Sequence, residues 1–182
     1  MAPRRLIFIF FLLLAICRGE TSYCDDNRKP AEYEVKAAYI YNFAKFVQWP
    51  KNAFQDSKKI IHVCVLGDDP FGSFLSGIDG KTAADKKIGV RGTPSVQNCR
   101  GCEIIFISAS EADRLPRIMK ALNGAPVLTV GDTEGYAEQG VMINFFMENR
   151  TVRFEINPRA AVRAGLRISS NLLRIARIVG EP

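Results

Sequence analysis

The segment Ala31–Pro50, AEYEVKAAYIYNFAKFVQWP, constrains the fold more than any other stretch of the chain. Apolar residues recur in it at helical spacing, which predicts an amphipathic helix with one broad buried face. Pro50 disfavours helical geometry at Trp49, so the helix is expected to end there. Lys36 and Lys45 are expected to point toward water. The predicted buried face, which needs a sheet to cover it, consists of Val35, Ala38, Tyr39, Asn42, Phe43, Phe46 and Val47.

The first 19 residues have the composition of a secretory signal peptide. Arg4 and Arg5 precede the apolar run Leu6–Ile16, which is too short to span a bilayer as a helix. We therefore predict a removed leader at 1–19, a flexible polar lead-in at 20–29 and one domain at 30–182. The leader holds three arginines and no acid, so its removal lowers the formal net charge from +6 to +3. No basic run interleaved with aromatic residues indicates nucleic acid.

Export would place Cys24, Cys64, Cys99 and Cys102 in an oxidising compartment. Cys64 lies in a predicted strand and Cys102 opens another, so a Cys64–Cys102 disulfide is favoured. Two alternatives stay open. Cys99 and Cys102 could form a CxxC redox pair, or the same pair could join His62 and Cys64 in a zinc site.

Apolar runs alternate with helical segments through the middle of the chain. Strands are predicted at Ile60–Leu66, Lys86–Arg91, Glu103–Ser108 and Ala125–Val130, and helices at Phe71–Ile78 and Glu111–Leu122. The nearly continuous apolar character of these strands indicates a sheet that is covered on both faces.

The C-terminal part has a different pattern. Val141–Met147 and Thr151–Ile156 flank Glu148-Asn149-Arg150 and are predicted to form a β-hairpin, followed by a last helix at Ser169–Ile178. The fold class is therefore α/β. We expect a single domain with a mixed, mainly parallel sheet flanked by helices, and with a C-terminal β-hairpin and helix.

No catalytic constellation is apparent in the sequence. His62 is the only histidine, and it lies within an apolar strand, where a substrate would not reach it. No GxSxG, HExxH, P-loop or GxGxxG motif occurs. The sequence therefore predicts a protein that is not an enzyme and that uses no cofactor or metal.

Small polar residues follow three of the predicted strands: Asp68, Ser108, Ser110 and Asp132. In open α/β sheets ligands bind beyond the carboxyl ends of the strands, so these residues are candidates for binding a small molecule. Turn and helix-cap roles fit the same residues.

A polar row alternates with apolar residues in the second arm of the predicted hairpin. Arg153, Glu155 and Asn157 form this row, and we expect its face to be free to meet a protein partner. A charge reversal such as Glu155→Lys would then weaken binding and leave the melting temperature nearly unchanged.

Two long segments resemble the YfiR family of exported repressors of membrane-bound diguanylate cyclases. EVKAAYIYNFAKFVQWP, Glu34–Pro50, is similar to the opening signature of that family. GVMINFFMENRTVRFEINPRAAVRAGLRISSNLLRIARIV, Gly140–Val179, is similar to the closing signature, and CVLGDDPFG lies between the two.

The resemblance implies a periplasmic repressor that binds the periplasmic sensor domain of an inner-membrane diguanylate cyclase. Binding would keep cyclic-di-GMP synthesis, and with it biofilm formation, low. A homodimer and an outer-membrane lipoprotein that sequesters the repressor are also implied. This chain has no cysteine beyond Cys102, so a family disulfide in the C-terminal half cannot form here.

Overall fold

A computed structural model of the protein describes residues 28–54, 60–93, 95–99 and 101–180. The predicted leader, the lead-in residues 20–27 and Cys24 lie outside these ranges. Within them, no helix is both long enough and apolar enough to cross a membrane.

The described part of the chain alternates between helices and strands. The helices are α1 (Arg28–Phe46), α2 (Ser73–Ser76), α3 (Leu115–Ala121), α4 (Pro158–Arg163) and α5 (Ser170–Leu173). The strands are β1 (Val47–Gln48), β2 (Ile60–Leu66), β3 (Thr82–Ala83), β4 (Lys86–Thr93), β5 (Ile104–Ile107), β6 (Leu128–Gly131), β7 (Ile143–Glu148), β8 (Thr151–Ile156), β9 (Arg167–Ile168) and β10 (Arg177–Ile178). Short 3-10 segments lie at Lys51–Ala53, Val96–Cys99 and Ala109–Arg114.

Eight strands form one sheet in the order β10-β8-β7-β6-β5-β2-β4-β3, and β1 pairs with β9 apart from it. The five central strands β7, β6, β5, β2 and β4 are parallel, whereas β8 and β3 are antiparallel to their neighbours β7 and β4. Separate hydrophobic clusters cover the two faces of the sheet. The predicted mixed, mainly parallel α/β architecture is confirmed.

α1 packs inside the curl of this sheet. The Phe43 ring centroid lies 5.7 Å from that of Phe145 and 5.3 Å from that of Phe154, on the two arms of the hairpin. On the other side of α1, the Tyr41 hydroxyl donates a hydrogen bond of 2.8 Å to the Thr82 carbonyl in β3. Because one helix contacts strands near both edges of the sheet, the sheet must curl around it.

The buried face of α1 agrees only in part with the predicted one. Val35 and Phe46 are 43% and 37% exposed, whereas Lys36, which was expected to face water, is 3% exposed. Phe43 and Val47 are buried as predicted, and Ile40, which was not assigned to the buried face, is fully buried as well. The helical pattern alone does not decide which apolar residues face the sheet. The curled sheet selects the face through Ile40, and ion pairs with Glu32 and Asp132 allow Lys36 to join it.

Three predicted helices are shorter than expected. Phe71–Ile78 keeps only the four residues of α2 (Ser73–Ser76). Glu111–Leu122 begins as a 3-10 segment and becomes helical only at Leu115, because Pro116 suits a first helical turn and not an interior position. Ser169–Ile178 keeps only the short α5. Its last residues form β10, because Arg177 and Ile178 pair with β8 at the open edge of the sheet.

The packing of α1 predicts different effects for two phenylalanines. Phe43→Ala should lower the free energy of unfolding by about 3–5 kcal/mol, because it leaves a cavity between α1 and the hairpin. Phe46→Ala should cost about 1 kcal/mol, because the Phe46 ring is already partly in water. Urea unfolding of both variants measures the difference, and equal losses would contradict this account of the core.

Candidate functional site

The hairpin of β7 and β8 extends beyond the carboxyl end of β6. In the register, Gly131 lies beside Asn144, and β7 continues for four more residues past that pair. On the face opposite α1, Asn144 is beside Glu155, and Glu155 is beside Arg177 of β10. Three polar residues thus form one row across three neighbouring strands.

Glu155 lies at the centre of this row and is buried. It is 3% exposed, its Oε1 accepts a hydrogen bond of 3.0 Å from Asn144 Nδ2, and its Oε2 accepts one of 3.0 Å from Arg177 Nε. The expectation that Glu155 is free to meet a partner is therefore wrong. No pattern in the sequence indicated β10, whose Arg177 reaches over this face and pairs with the carboxylate.

Asn157 is also inside the fold, where it has a structural role. Its Oδ1 accepts a hydrogen bond of 3.0 Å from the Ala160 amide and so caps α4. Its Nδ2 donates a hydrogen bond of 2.9 Å to the Ala137 carbonyl in the loop after β6. Asn157 is 6% exposed, so the expectation of a free partner-binding side chain is wrong here as well.

Arg153 is the one member of the predicted row that remains at the surface. Its Nε lies 3.6 Å from Glu148 Oε2, and both side chains are 54% exposed. An exposed ion pair of this kind contributes little to stability, so both groups are free to exchange their contact for one with a partner.

Arg177 presents a second cation beside Arg153. Its guanidinium carbon lies 3.9 Å from the centroid of the Phe146 ring, and the side chain is 55% exposed although it is bound to Glu155. The aromatic ring and the carboxylate fix the guanidinium in one orientation while leaving much of it accessible. We define the partly buried Phe146 and the exposed Glu148, Arg153 and Arg177 as the hairpin surface.

Asp132, one of the predicted ligand residues, is engaged by α1. Its Oδ2 accepts hydrogen bonds of 2.8 Å from Lys36 Nζ and 2.9 Å from the Tyr33 hydroxyl. Burial, with the neighbouring Asp132 charge, raises the pKa of Tyr33 far above its usual value, so the hydroxyl remains a donor. These contacts attach the first turns of α1 to the end of β6.

The other predicted ligand residues lie where the loops after β2 and β5 meet. Ser110 Oγ accepts a hydrogen bond of 2.9 Å from the Asp68 amide. A Cβ at Gly67 would lie 2.4 Å from that oxygen, so only glycine permits the two loops to approach this closely. Ser108 is 5% exposed, and its carbonyl accepts a hydrogen bond from Tyr136. Asp68 remains exposed, and ligand binding by these residues stays a prediction.

The structure contains the favoured disulfide between Cys64 and Cys102, whose Cα atoms are 6.0 Å apart. This bond uses two of the four ligands in the alternative zinc site. It also uses one half of the alternative CxxC pair. The remaining Cys99 is buried, and burial raises the pKa of its thiol, which favours the unreactive protonated form.

His62 contacts a buried carboxylate next to the disulfide. Its backbone amide donates a hydrogen bond of 2.7 Å to Glu103 Oε2, and its Nδ1 lies 3.4 Å from the same oxygen. Burial raises the pKa of the Glu103 carboxyl, and the His62 amide partly opposes that effect. His62 and Glu103 therefore contact each other in a structural role. Among the described residues, no group of three or more His, Cys, Asp or Glu side chains is placed to hold a metal ion.

Sequence reasoning missed three residues of these networks: Lys36, Asn144 and Arg177. The helical pattern predicts that the side chains of Lys36 and Arg177 point toward solvent. Asn144 lies within the apolar run INFFM, and a buried asparagine in such a run needs a polar partner, which was the available signal.

These features describe a single α/β domain with a charged, partly aromatic surface at the end of a hairpin. A model of the YfiR/HmsC-like family matches residues 33–177. The match covers most of the chain, and the protein belongs to that family.

Two solved structures resemble this fold. A conserved domain protein from Vibrio cholerae is 14% identical with a TM-score of 0.51, and the match covers 80% of this chain and 59% of that one. The ABC domain from Streptococcus pneumoniae, solved in complex with L-Trp, is 12% identical with a TM-score of 0.49, over 82% of this chain and 60% of that one. This chain thus spans about three fifths of each. The similarity to the first structure supports the fold alone, and we draw no conclusion from the similarity to the second.

The buried position of Glu155 predicts a large loss of stability on charge reversal. Glu155→Lys should lower the free energy of unfolding by about 3–5 kcal/mol, because it places a second cation beside Arg177 and removes one of the two acceptors of Asn144 Nδ2. Glu148→Lys makes the same charge change at an exposed position of the same hairpin and should cost below about 1 kcal/mol. Chemical denaturation compares the two, and equal stability of both variants would contradict the buried row.

Proposed function

We propose that this protein is a periplasmic repressor that binds the periplasmic sensor domain of an inner-membrane diguanylate cyclase. Membership of the YfiR/HmsC-like family is the observation that carries this proposal. The predicted leader and the Cys64–Cys102 disulfide support a periplasmic location, because disulfides persist in oxidising compartments. Within this proposal the protein acts by binding and catalyses no reaction.

Repression would follow from a difference in affinity. If the repressor binds the inactive conformer of the sensor domain more tightly than the active one, it shifts the cyclase toward the inactive state. Cyclic-di-GMP synthesis in the cytoplasm then stays low. A homodimer, and an outer-membrane lipoprotein that removes the repressor from the cyclase, complete the proposal.

The hairpin surface is the proposed contact with the cyclase. Arg177 is held in place by Glu155 and the Phe146 ring, so little conformational entropy is lost when a partner binds it. Arginine and aromatic residues are also enriched among residues that dominate binding energy. Arg153 adds a second cation, and Glu148, the anion 3.6 Å from it, is itself exposed.

The proposal predicts that Arg153→Glu weakens binding without unfolding the protein. The variant should bind the purified periplasmic domain of the cyclase at least about tenfold more weakly, because a partner that accepts a cation would meet an anion. Calorimetric titration gives the affinities, and the melting temperature should change little because Arg153 is exposed.

Arg117→Glu provides the matched control, since Arg117 is an exposed arginine on α3 and is not part of the hairpin. It should bind like the wild type. In cells, Arg153→Glu should raise cyclic-di-GMP and Arg117→Glu should not. Equal affinities for the two variants would place the contact elsewhere, and no binding by the wild type would contradict the proposed function itself.

A further inference from the structure

The two ends of the parallel strands carry charges of opposite sign. Asp68 and Asp69 follow β2, and both are exposed. Asp113 and Glu134, also exposed, follow β5 and β6. The opposite end, from which the parallel strands begin, is basic. We define the basic end by six exposed residues located there: Lys45, Lys51, Lys87, Arg159, Arg163 and Arg167.

The segment that follows α1 crosses the amino ends of the strands. Trp49 Nε1 donates a hydrogen bond of 3.2 Å to the Glu103 carbonyl, directly before β5. Lys45 and Lys51 lie on either side of Trp49 in the chain. β9, which contains Arg167, pairs with β1 directly before Trp49. These three cations are therefore at the same end of the sheet.

The other three cations lie at this end as well. Lys87 pairs with Ile60, the first residue of β2. α4, which contains Arg159 and Arg163, begins where β8 ends, and the end of β8 is beside the first residue of β7. Four strands lie between β4 and β8 in the sheet. Neighbouring strands are about 4.8 Å apart, so the basic end is too wide for one small anion to contact all of its cations.

Few carboxylates balance this charge. No ion pair within the described ranges involves any of the six residues. The exposed acids near them in those ranges are Asp85, which pairs with Lys86, and Glu138 in the loop before β7. Residues 55–59 and 100, which directly precede β2 and β5 outside the described ranges, hold one acidic and three basic residues and so add net positive charge.

α4 adds an apolar side chain to the basic end. Val162 is 72% exposed and lies on this helix together with Arg159 and Arg163. A valine between two arginines suits the boundary between lipid headgroups and acyl chains. There the apolar side chain leaves water, while the arginine stems stay along the apolar region and the guanidinium groups contact phosphates.

We propose that the basic end binds the anionic phospholipid surface of a membrane, with α4 in contact with the headgroups. Each lysine or arginine near an anionic bilayer contributes about 1 kcal/mol, so several together give reversible binding that salt weakens. The inference goes beyond the repressor function and does not depend on it, because the lipid surface alone is the ligand.

Sedimentation of the mature chain with lipid vesicles, in the absence of a cyclase, tests the proposal. Binding should be at least about tenfold stronger to vesicles with about one third phosphatidylglycerol than to pure phosphatidylcholine, and it should weaken between about 0.03 and 0.15 M salt. Inorganic phosphate should inhibit no more than chloride at equal ionic strength. Equal binding to both vesicles, no binding at low salt, or specific inhibition by phosphate would overturn the proposal.

Two charge reversals locate the contact. Arg163→Glu should weaken binding to the anionic vesicles at least about fivefold, because it replaces a cation at the interface with an anion. Arg117→Glu makes the same change at an exposed position of α3 and should weaken binding less than about twofold. Equal weakening by both would show that net charge, and not the basic end, determines binding.

A second pair of variants tests the contact of α4. On addition of anionic vesicles, the emission of Val162→Trp should shift to shorter wavelength. The emission of Ala112→Trp, at an exposed residue beyond the carboxyl end of β5, should not. Trp49 is common to both variants. Unchanged emission of Val162→Trp in vesicle-bound protein would contradict the contact.

A titration without lipid separates a membrane from an acidic protein as the partner of the basic end. Arg163→Glu should bind the isolated periplasmic domain of the cyclase with the affinity of the wild type. A loss of that affinity would assign the basic end to a protein contact and overturn the membrane assignment. If the wild type itself does not bind the domain, the repressor function fails, and the vesicle measurements still decide this inference.

Discussion

The packing of α1 inside the curled sheet is the interaction on which the rest of the structure depends. Phe43 is fully buried against aromatic rings on both arms of the hairpin, and Tyr41 reaches β3 near the other edge. Aromatic side chains bury the most apolar area per residue, so these contacts hold the sheet in its curl. The position of the hairpin, and hence of the surface at its end, follows from this helix.

Buried charged residues connect α1 to the central sheet and β8 to the edge strand β10. Lys36 and Asp132 connect the first turns of α1 to β6, and Glu155 connects β8 to Arg177 of β10. Buried pairs of this kind add less stability than their short distances suggest, because both charges lose their hydration. Here these pairs hold neighbouring elements in position. The pair with Glu155 also holds the Arg177 guanidinium in one orientation at the surface.

Much of the architecture could be predicted from the sequence. Ile60–Leu66 is a strand with the predicted bounds, and the hairpin turn lies at Asn149 and Arg150, both with positive φ. The disulfide followed from placing Cys64 and Cys102 on neighbouring strands. These features depend on local patterns or on strand order, both of which the sequence contains.

The face of each side chain was harder to predict where tertiary contacts decide it. Helical periodicity predicts that Lys36 faces water. The sequence does not show that the fold brings Asp132 within 2.8 Å of the Lys36 ammonium. The alternation of polar and apolar residues in β8 predicts that Glu155 lies at the surface. The sequence does not show that Arg177 belongs to an additional edge strand that covers this residue. Of the three residues named for the partner site, only Arg153 reaches the surface, and a partner contact at this hairpin stays a prediction.

Hydrogen–deuterium exchange of the full mature chain, alone and bound to the periplasmic domain of a membrane diguanylate cyclase, tests the central claim most directly. The account predicts slower exchange on binding in peptides that cover residues 146–153 and 174–178. Peptides that cover residues 96–99 and 121–127, outside the hairpin surface, should exchange at unchanged rates. Slower exchange confined to other parts of the chain, or no change at saturating partner, would contradict it.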